Sequence, residues 1–224
     1  QLLGPAAAAP RELGFRVVYG KTPLTPEVEA KLLPILRKGP SFVTDTTAVG
    51  QRITLVLEAM RFHHPRAPAD YFFWALCAVT EAFASTESSA PLELDHILRH
   101  LTGHWDPQIR VIIDQRTPDE TASLGLTSSN PDRSSVWETE RRVTVLGDAV
   151  HCMPPTGGQG GNSALYDAAL LGAALAESGE AGGDQGWSKE TIRRYEDAMR
   201  YNIGDIVGMA CIGVDKAFGS AVLG

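Results

Sequence analysis

The sequence lacks most of the features that would assign its 224 residues to a membrane, to nucleic acid or to an oxidising compartment. No apolar run reaches the roughly 18 residues of a membrane span, and residues 1–10 lack the charged-then-apolar order of a signal peptide. With a net charge of −7 and no basic stripe, neither nucleic acid nor an anionic membrane surface is an expected partner. The three cysteines show no CxxC spacing, which indicates reduced thiols and a cytoplasmic location.

Several signatures of catalysis are missing as well. The chain has no GxGxxG directly after a strand, no Walker loop ending in Lys-Ser/Thr and no Gly-x-Ser-x-Gly elbow. His96, His100 and His104 recur every four residues, but Gly103 interrupts that helix. No carboxylate or cysteine stands at convincing ligand spacing, so we expect no metal site. The catalytic residues stay unknown at this level.

The order of the predicted elements indicates an α+β fold. Strand-like runs come first, helices follow, and one strand-to-helix unit and a long helix close the chain, unlike alternating βαβ units. Gly50-Gln51 favours an antiparallel hairpin between the second and third strands. We divide the chain into residues 1–136 and 137–224. The predicted strands are 14–20, 41–48, 52–60, 71–79, 124–126 and 142–146, and the predicted helices are 26–36, 91–102, 106–113, 162–175 and a final one capped by Ser188.

The stretch from Val143 to Asn162 is the centre of the sequence. Its β-branched start predicts a strand, Gly147-Asp148 ends that strand, and Pro154-Pro155 sets an extended backbone. Four glycines then let the main chain approach a ligand without an intervening Cβ, and Asn162 or Ser163 can cap the following helix. Such a loop favours bound negative charge or a polarised ring, because unpaired N–H groups and the positive end of the helix dipole lie there.

The pattern of this stretch resembles the second flavin-contacting motif of the FAD-dependent aromatic monooxygenases, the group with the para-hydroxybenzoate-hydroxylase fold. It reads Gly147-Asp148-Ala149-x-His151-x-x-x-Pro155-x-x-Gly158-Gln159-Gly160-x-Asn162-x-Ala164-Leu165-x-Asp167-Ala168-x-x-Leu171. We interpret its histidine as a residue that orients the loop rather than as an acid or base. Other stretches are similar to fungal members, so the resemblance covers most of the chain: Tyr19–Leu24, Tyr71–Leu76 and Arg194–Glu196.

The resemblance implies a role for each part of the chain. Residues 1–136 would bind the substrate with a mixed or antiparallel sheet and helices, and residues 137–224 would face the flavin. Asp148 would accept a hydrogen bond from the ribityl chain of FAD, and Pro155 would lie against the flavin ring near the substrate. The amides that would face the pyrimidine edge of the ring belong to Gly158, Gln159, Gly160, Gly161 and Asn162. The substrate pocket would be lined by Tyr71, Phe73 and Trp74 together with Pro155.

The sequence departs from the family at its start. Family members begin with a βαβ unit that bears GxGxxG and holds the ADP half of FAD, and they carry an Asp-Gly motif before the substrate sheet. This sequence has neither, and it looks like the C-terminal portion of the fold. It is then a fragment, or it pairs with a second polypeptide or another copy that covers an exposed sheet, or it is a truncated relative that has abandoned flavin.

The resemblance leaves three functions open. The first is an FAD- and NAD(P)H-dependent monooxygenase that acts on a small organic substrate of secondary metabolism. The second is a cofactor-free cyclase or isomerase that runs a pericyclic type of reaction in the remaining cavity, with no bound flavin. The third is a non-catalytic protein that binds a small molecule. The sequence specifies neither the substrate nor the product nor the oligomeric state.

Overall fold

A computed structural model describes residues 10–47, 52–83, 91–130, 137–179 and 187–218 of the chain. These residues fall into two compact units. The first unit consists of the described residues within Gly14–Leu126 and is named the sheet unit. The second unit consists of the described residues within 1–13 and 127–220 and is named the motif unit. None of the helices in these ranges has both the length and the apolar character needed to cross a membrane.

Five strands form one sheet. They are β1 Arg11–Pro23, β2 Ser41–Asp45, β3 Ile53–Met60, β4 Tyr71–Val79 and β5 Ala122–Ser128. Their order across the sheet is β2-β3-β4-β1-β5, and the pairs β2–β3, β3–β4 and β4–β1 are antiparallel. The two strands of the predicted hairpin are therefore confirmed, while its Gly50-Gln51 turn lies outside the described residues.

The first predicted helix is shorter than its apolar pattern indicates. Helix α1 covers Pro26–Lys31, begins at a Thr25 cap, and is followed by a separate 3-10 turn at Pro34–Arg37. The prediction of one helix over 26–36 is wrong because Pro34 has no N–H to donate and disfavours helical backbone at the residue before it. Leu33 accordingly has ψ of 126°, outside the helical range.

The two remaining helices of the sheet unit form where their start signals stand. Helix α2 covers Pro91–Thr102, and α3 covers Pro107–Asp114. Asp106 caps α3, since its side chain accepts a hydrogen bond from the Gln108 amide at 2.8 Å. Apolar residues of both helices pack with the buried face of the sheet in one core.

Alternation along β4 decides which side chains enter that core. Phe72, Trp74 and Leu76 are fully buried, whereas Tyr71 and Phe73 on the other face are half-buried. Close packing at the indole of Trp74 also explains the glycine at position 20 in the neighbouring strand, where an added Cβ would lie 2.7 Å from the ring. The strand predicted over 71–79 is confirmed.

The motif unit consists mainly of helices that pack through apolar side chains. The helices are α4 Asp148–His151, α5 Gly160–Glu177 and α6 Lys189–Phe218. Ser188 caps α6 as expected, with its Oγ accepting from the Thr191 amide at 3.1 Å, and the helix continues through its three glycines. One buried cluster consists of Trp137, Val150, Ala174, Tyr195 and Met199. Further apolar side chains of α6 are buried too, among them Ile192, Val207, Val214 and Phe218.

The strand predicted at 142–146 does not form in the described part of the chain. Residues 143–146 have no regular secondary structure, and the side chains of Val143 and Leu146 are 54% and 38% exposed. β-Branched residues favour extended backbone, but a strand also needs a neighbour whose N–H and C=O groups complete the ladder. The α+β class is otherwise confirmed, with an antiparallel sheet and a long C-terminal helix.

Candidate functional site

The turn after residue 146 is held by a buried carboxylate. Asp167 of α5 is 1% exposed, and its Oδ2 accepts a hydrogen bond from the Gly147 amide at 2.9 Å. Gly147 has φ of +59°, and an added Cβ would lie 3.0 Å from the Cβ of Ala164, so conformation and space both require glycine. This contact sets where α4, and with it Asp148, begins.

His151 at the end of α4 binds the same carboxylate. Its Nε2 lies 2.5 Å from Asp167 Oδ2, and both side chains are 1% exposed. The other ring nitrogen, Nδ1, is buried without a hydrogen-bond partner. A bare acceptor is cheaper to bury than a bare N–H, so the geometry favours a proton on Nε2, donated to the ionised carboxylate. This arrangement fits the interpretation that His151 orients the loop.

The proline-glycine loop between α4 and α5 is anchored at Cys152, whose carbonyl accepts from the Ser129 amide at 2.7 Å, and at Thr156, and it is open at its glycines. Thr156 Oγ1 donates to the Ala210 carbonyl of α6 at 2.6 Å, and the Gly158 amide donates to the Pro155 carbonyl at 3.0 Å. Gly157 and Gly158 have φ of +103° and +64°, a backbone that side chains with a Cβ rarely adopt. No atom lies within 4 Å of a Cβ built at either position, so the outer side of the loop can take a flat ligand.

Helix α5 begins two residues before the predicted start at residue 162. It starts at Gly160, follows Gln159 directly, and has no side-chain cap. The expectation that Asn162 or Ser163 caps it is wrong, because glycines in the first turn can adopt helical backbone and the helix extends through them. The first amides of α5 therefore have no intrahelical acceptor and no cap, and they point out of the helix at the positive end of its dipole.

The seven residues predicted to contact a cofactor thus lie in one continuous segment of the motif unit. Asp148 is exposed at the first position of α4, and Pro155 is exposed in the loop. The remaining five surround the start of α5, with all but one of them exposed: Gly158, Gln159, Gly160, Gly161 and Asn162. An exposed carboxylate, an open glycine loop and uncapped amides fit a ligand with hydroxyl groups and an electron-rich ring.

The predicted substrate-pocket residues divide between the two faces of the sheet. Trp74 packs in the core of the sheet unit, whereas Tyr71 and Phe73 share the half-exposed face. Phe73 lies between Lys21 of β1 and Glu58 of β3 in the register of the sheet. That face therefore offers aromatic rings beside charged groups.

Lys21 is held in place on this face. Its Nζ lies 2.6 Å from Glu120 and 5.0 Å from the centre of the Tyr71 ring. The hydrogen bond to Glu120 raises the pKa of Lys21 above its ordinary value. The ammonium is thus kept charged at one end of the aromatic face.

A separate cavity of the sheet unit lies away from this face. A cavity of about 540 Å³ lies between α2 and α3 and is lined by arginines and aspartates that bind each other. Arg116 contacts Asp95, and Arg110 lies 3.0 Å from Asp114. Because these charges are already paired, the cavity does not resemble a prepared ligand site. No group of three or more metal-ligating side chains occurs among the described residues.

Sequence reasoning missed two residues that shape the site. Asp167 stood in the motif without an assigned role, and Tyr195 was noted only as part of a similar stretch. Tyr195 donates its hydroxyl to the Val145 carbonyl at 2.8 Å, and burial raises the pKa of that hydroxyl well above its usual range. Both residues bind the backbone just before Asp148. Their roles depend on contacts between distant positions, which no local pattern reports.

Comparison with known proteins agrees with the motif. Residues 110–197 match the family model described as FAD binding domain. The chain is 30% identical over 93% of its length to the dual O-methyltransferase/FAD-dependent monooxygenase CTB3 of Cercospora beticola. The matched region is 26% of that relative, so the chain spans about a quarter of its length.

Solved structures show the same fold. A crystal structure described as a FAD-containing monooxygenase of Photorhabdus luminescens matches 93% of this chain with a TM-score of 0.71 at 26% identity. The urate-bound HpxO of Klebsiella pneumoniae, which also contains FAD, matches 95% of it with a TM-score of 0.62 at 22% identity. The chain covers 55% and 47% of those two proteins, about half of each.

Proposed function

The chain is a relative of the FAD-dependent monooxygenases in both sequence and fold, and we propose from this that it forms the flavin-ring and substrate part of such an enzyme. The observation that carries the proposal is the segment Asp148–Asn162, where an exposed carboxylate, an open glycine loop and uncapped helix amides follow one another. The reaction is hydroxylation or epoxidation of a small organic molecule of secondary metabolism, with NAD(P)H as the reductant.

The residues of this segment fit the flavin end of FAD. Asp148 would accept a hydrogen bond from a ribityl hydroxyl, and the exposed Pro155 would lie against the ring. The amides from Gly158 to Asn162 would stabilise negative charge on the pyrimidine edge, because they stand at the positive end of the 18-residue helix α5. When bound, FAD supplies the redox and oxygen chemistry, while the protein positions it and the substrate.

The substrate contacts in this proposal come from the half-exposed face of the sheet. Tyr71 and Phe73 would stack against a flat or partly aromatic molecule, and Lys21 and Glu58 would bind polar groups at its edge. Trp74 belongs to the core on the opposite face and would act only as a support. The individual substrate is left to experiment.

The rest of the FAD site would come from a dinucleotide-binding unit, on a second polypeptide or on a further part of the same protein. The motif unit supports this part of the proposal with apolar side chains that its own core leaves uncovered. Leu165 is 72% exposed and Tyr166 is 53% exposed. Val143 and Leu146 are exposed as well, so the described part of the motif unit presents several apolar side chains to the outside.

A flavin titration tests the proposed function. The chain alone is mixed with FAD and, separately, with FMN, and binding is followed by flavin fluorescence and the visible spectrum. We expect weak binding with comparable affinity for both, because this chain would contact the shared ring and ribityl chain but not the ADP half. Asp148→Ala should weaken both, and the matched exposed control Asp205→Ala on α6 should weaken neither.

The alternatives give different results in the same experiment. If neither flavin binds and the colourless chain still converts a polyene-type substrate, the monooxygenase proposal is wrong and the cofactor-free cyclase is favoured. If a small molecule binds without any turnover, even with flavin and NAD(P)H present, the binding-protein hypothesis gains. Strong preference for FAD over FMN by the chain alone would contradict the assignment of contacts given above.

A further inference from the structure

The carboxylate of Glu196 on α6 collects donors from three residues of one irregular segment. Glu196 is fully buried. Its Oε1 accepts from Trp137 Nε1 at 2.8 Å and from Thr144 Oγ1 at 3.0 Å, and its Oε2 accepts from Thr139 Oγ1 at 2.7 Å. The two oxygens of this carboxyl group together accept all three donors, so none of the three is left unpaired.

The charge of Glu196 is balanced by a neighbour on the same helix. Arg200 Nη2 lies 3.5 Å from Oε2, one helical turn further along. The Arg200 guanidinium also stacks over the Trp137 ring at 4.1 Å, so the indole is held both at its N–H and on its face. A buried carboxylate without this cation would carry a large desolvation cost.

The segment that these contacts hold has no regular structure of its own. Residues 137–146 belong to no helix or strand, so side-chain and terminal contacts decide their path. Tyr195, the neighbour of Glu196, binds the Val145 carbonyl at 2.8 Å. The segment leads directly into Gly147 and Asp148, the first residue of the proposed flavin segment.

We propose that Glu196 is a positioning residue for the flavin site. It fixes the segment 137–144 on α6. It thereby sets the position of Asp148, which follows Thr144 by four residues. This inference rests on the proposed function for its flavin part, but the fixing of the segment can be measured without any flavin. The carboxylate acts through Trp137 and Thr144 and does not itself touch the ligand.

The test compares four variants of the full chain by hydrogen exchange and by FAD and FMN titration. Glu196→Gln removes the charge and one acceptor, and Thr144→Val removes a single donor. Glu190→Gln, on the same helix and 3.9 Å from Arg193 at the surface, is the matched control. Ala174→Gly destabilises the motif unit from α5 without touching the Glu196 carboxylate, and it shows what general loss of stability does.

We expect Glu196→Gln to raise the amide exchange rate about tenfold in peptides covering 143–148, which corresponds to the loss of one hydrogen bond. The amides of β3 and β4 should keep their protection. Flavin affinity should fall about tenfold in Glu196→Gln and less in Thr144→Val. Glu190→Gln should change neither readout. Ala174→Gly should raise exchange across the unit and leave flavin affinity near the wild-type value.

Two results would overturn the proposal. Exchange at 143–148 in Glu196→Gln that matches the wild type, or that rises equally across the motif unit, would leave Glu196 as an ordinary stabilising residue. A fall in affinity no larger than that of Ala174→Gly would have the same meaning. A wild-type chain that binds neither flavin would instead overturn the proposed function and the flavin role of Glu196, while the exchange pattern would still decide whether the segment is fixed by the carboxylate.

Discussion

The sheet unit and the motif unit are stabilised in different ways. The sheet unit has a large core of apolar side chains, among them the fully buried Phe72, Trp74 and Leu76 of a single strand. One core cluster of the motif unit consists of Trp137, Val150, Ala174, Tyr195 and Met199, and beside it lie charged or ionisable side chains that are equally buried. Those are His151, Asp167 and Glu196.

The difference has a consequence for how each unit responds to change. Apolar burial has no direction, so a core of that kind tolerates substitutions that keep the volume. Buried hydrogen bonds need particular partners, and removal of one partner leaves the other unsatisfied. We therefore expect the sheet unit to be sensitive to volume and the motif unit to be sensitive to the identity of a few polar groups.

The largest effect is expected in the sheet unit. Trp74→Ala removes a fully buried indole and should lower the free energy of unfolding by about 3–5 kcal/mol, measured by urea denaturation. Phe42→Ala serves as the control because that ring is 67% exposed, and its cost should stay within about 0.5 kcal/mol. Similar losses for both variants would contradict the assignment of the buried face.

A loss of about 3 kcal/mol is expected from Asp167→Ala in the motif unit, because the Gly147 amide and His151 would both lose their buried partner. Urea denaturation followed by motif-unit fluorescence is the measurement. Asp197→Ala is matched in residue type, but its side chain is 66% exposed and binds only Arg200 at 3.1 Å, so it should cost little. A cost below about 1 kcal/mol for Asp167→Ala would remove the contrast between the units.

The two units also differ in how far their sequence predicts them. Alternation of apolar residues separates Phe72 and Trp74 from Tyr71 and Phe73, but it leaves open which face enters the core, and Trp74 was expected in the substrate pocket. The starts of α1, α3 and α6 follow from Thr25, Asp106 and Ser188. These signals are local, since each concerns residues within a few positions of one another. The glycine-rich segment was identified from its composition in the same way.

The contacts that shape the motif unit are not local. Glu196 binds Trp137 and Thr144, which lie 59 and 52 positions earlier in the chain. No periodic pattern reports such a pairing. The strand predicted at Val143 failed for a related reason, because its existence depends on a neighbouring strand rather than on its own residues. The helix start at Gly160 was missed because no side chain caps it, so the sequence has no cap signal at the true start.

The sheet unit also has one mostly buried carboxylate, that of Asp45, and its contribution tests the contrast drawn between the two units. Burial would raise the pKa of Asp45, but hydrogen bonds from Thr47, Trp105 and His104 together hold it well below its usual range. Since the pKa is lower in the folded state, the resulting stability is present above about pH 4 and is lost as the pH falls further. Asp45→Asn should cost about 2 kcal/mol at pH 7.

The pH dependence makes that test specific. Between pH 5 and pH 2 the wild type should lose more stability than Asp45→Asn, so the two urea midpoints should converge as the carboxylate is protonated. The His104 side chain is 52% exposed and that of Asp45 is 9% exposed, so we expect Asp45 to account for the change in stability over this pH range. A constant difference between the two proteins over that range would show that the carboxylate does not titrate with folding.

The smallest effects sharpen the comparison inside the motif unit. Gly158→Ala places a Cβ at φ of +64° and should cost about 1 kcal/mol. Gly172→Ala lies in the interior of α5 with no atom within 4 Å of the new Cβ, and it should raise stability by about 0.5–1 kcal/mol. Thermal unfolding of the two variants should therefore shift in opposite directions, and a shift of the same sign would contradict the loop geometry.

The alternating burial of β4 also predicts which positions along the strand tolerate substitution. From Tyr71 to Leu76 half-buried and buried side chains take turns, and from Cys77 to Ala78 both faces are buried. A library containing every substitution along this strand should show tolerance that rises and falls with a period of two, then stays low over the last two of these positions. One face of β4 can thus vary while the other face keeps the protein folded.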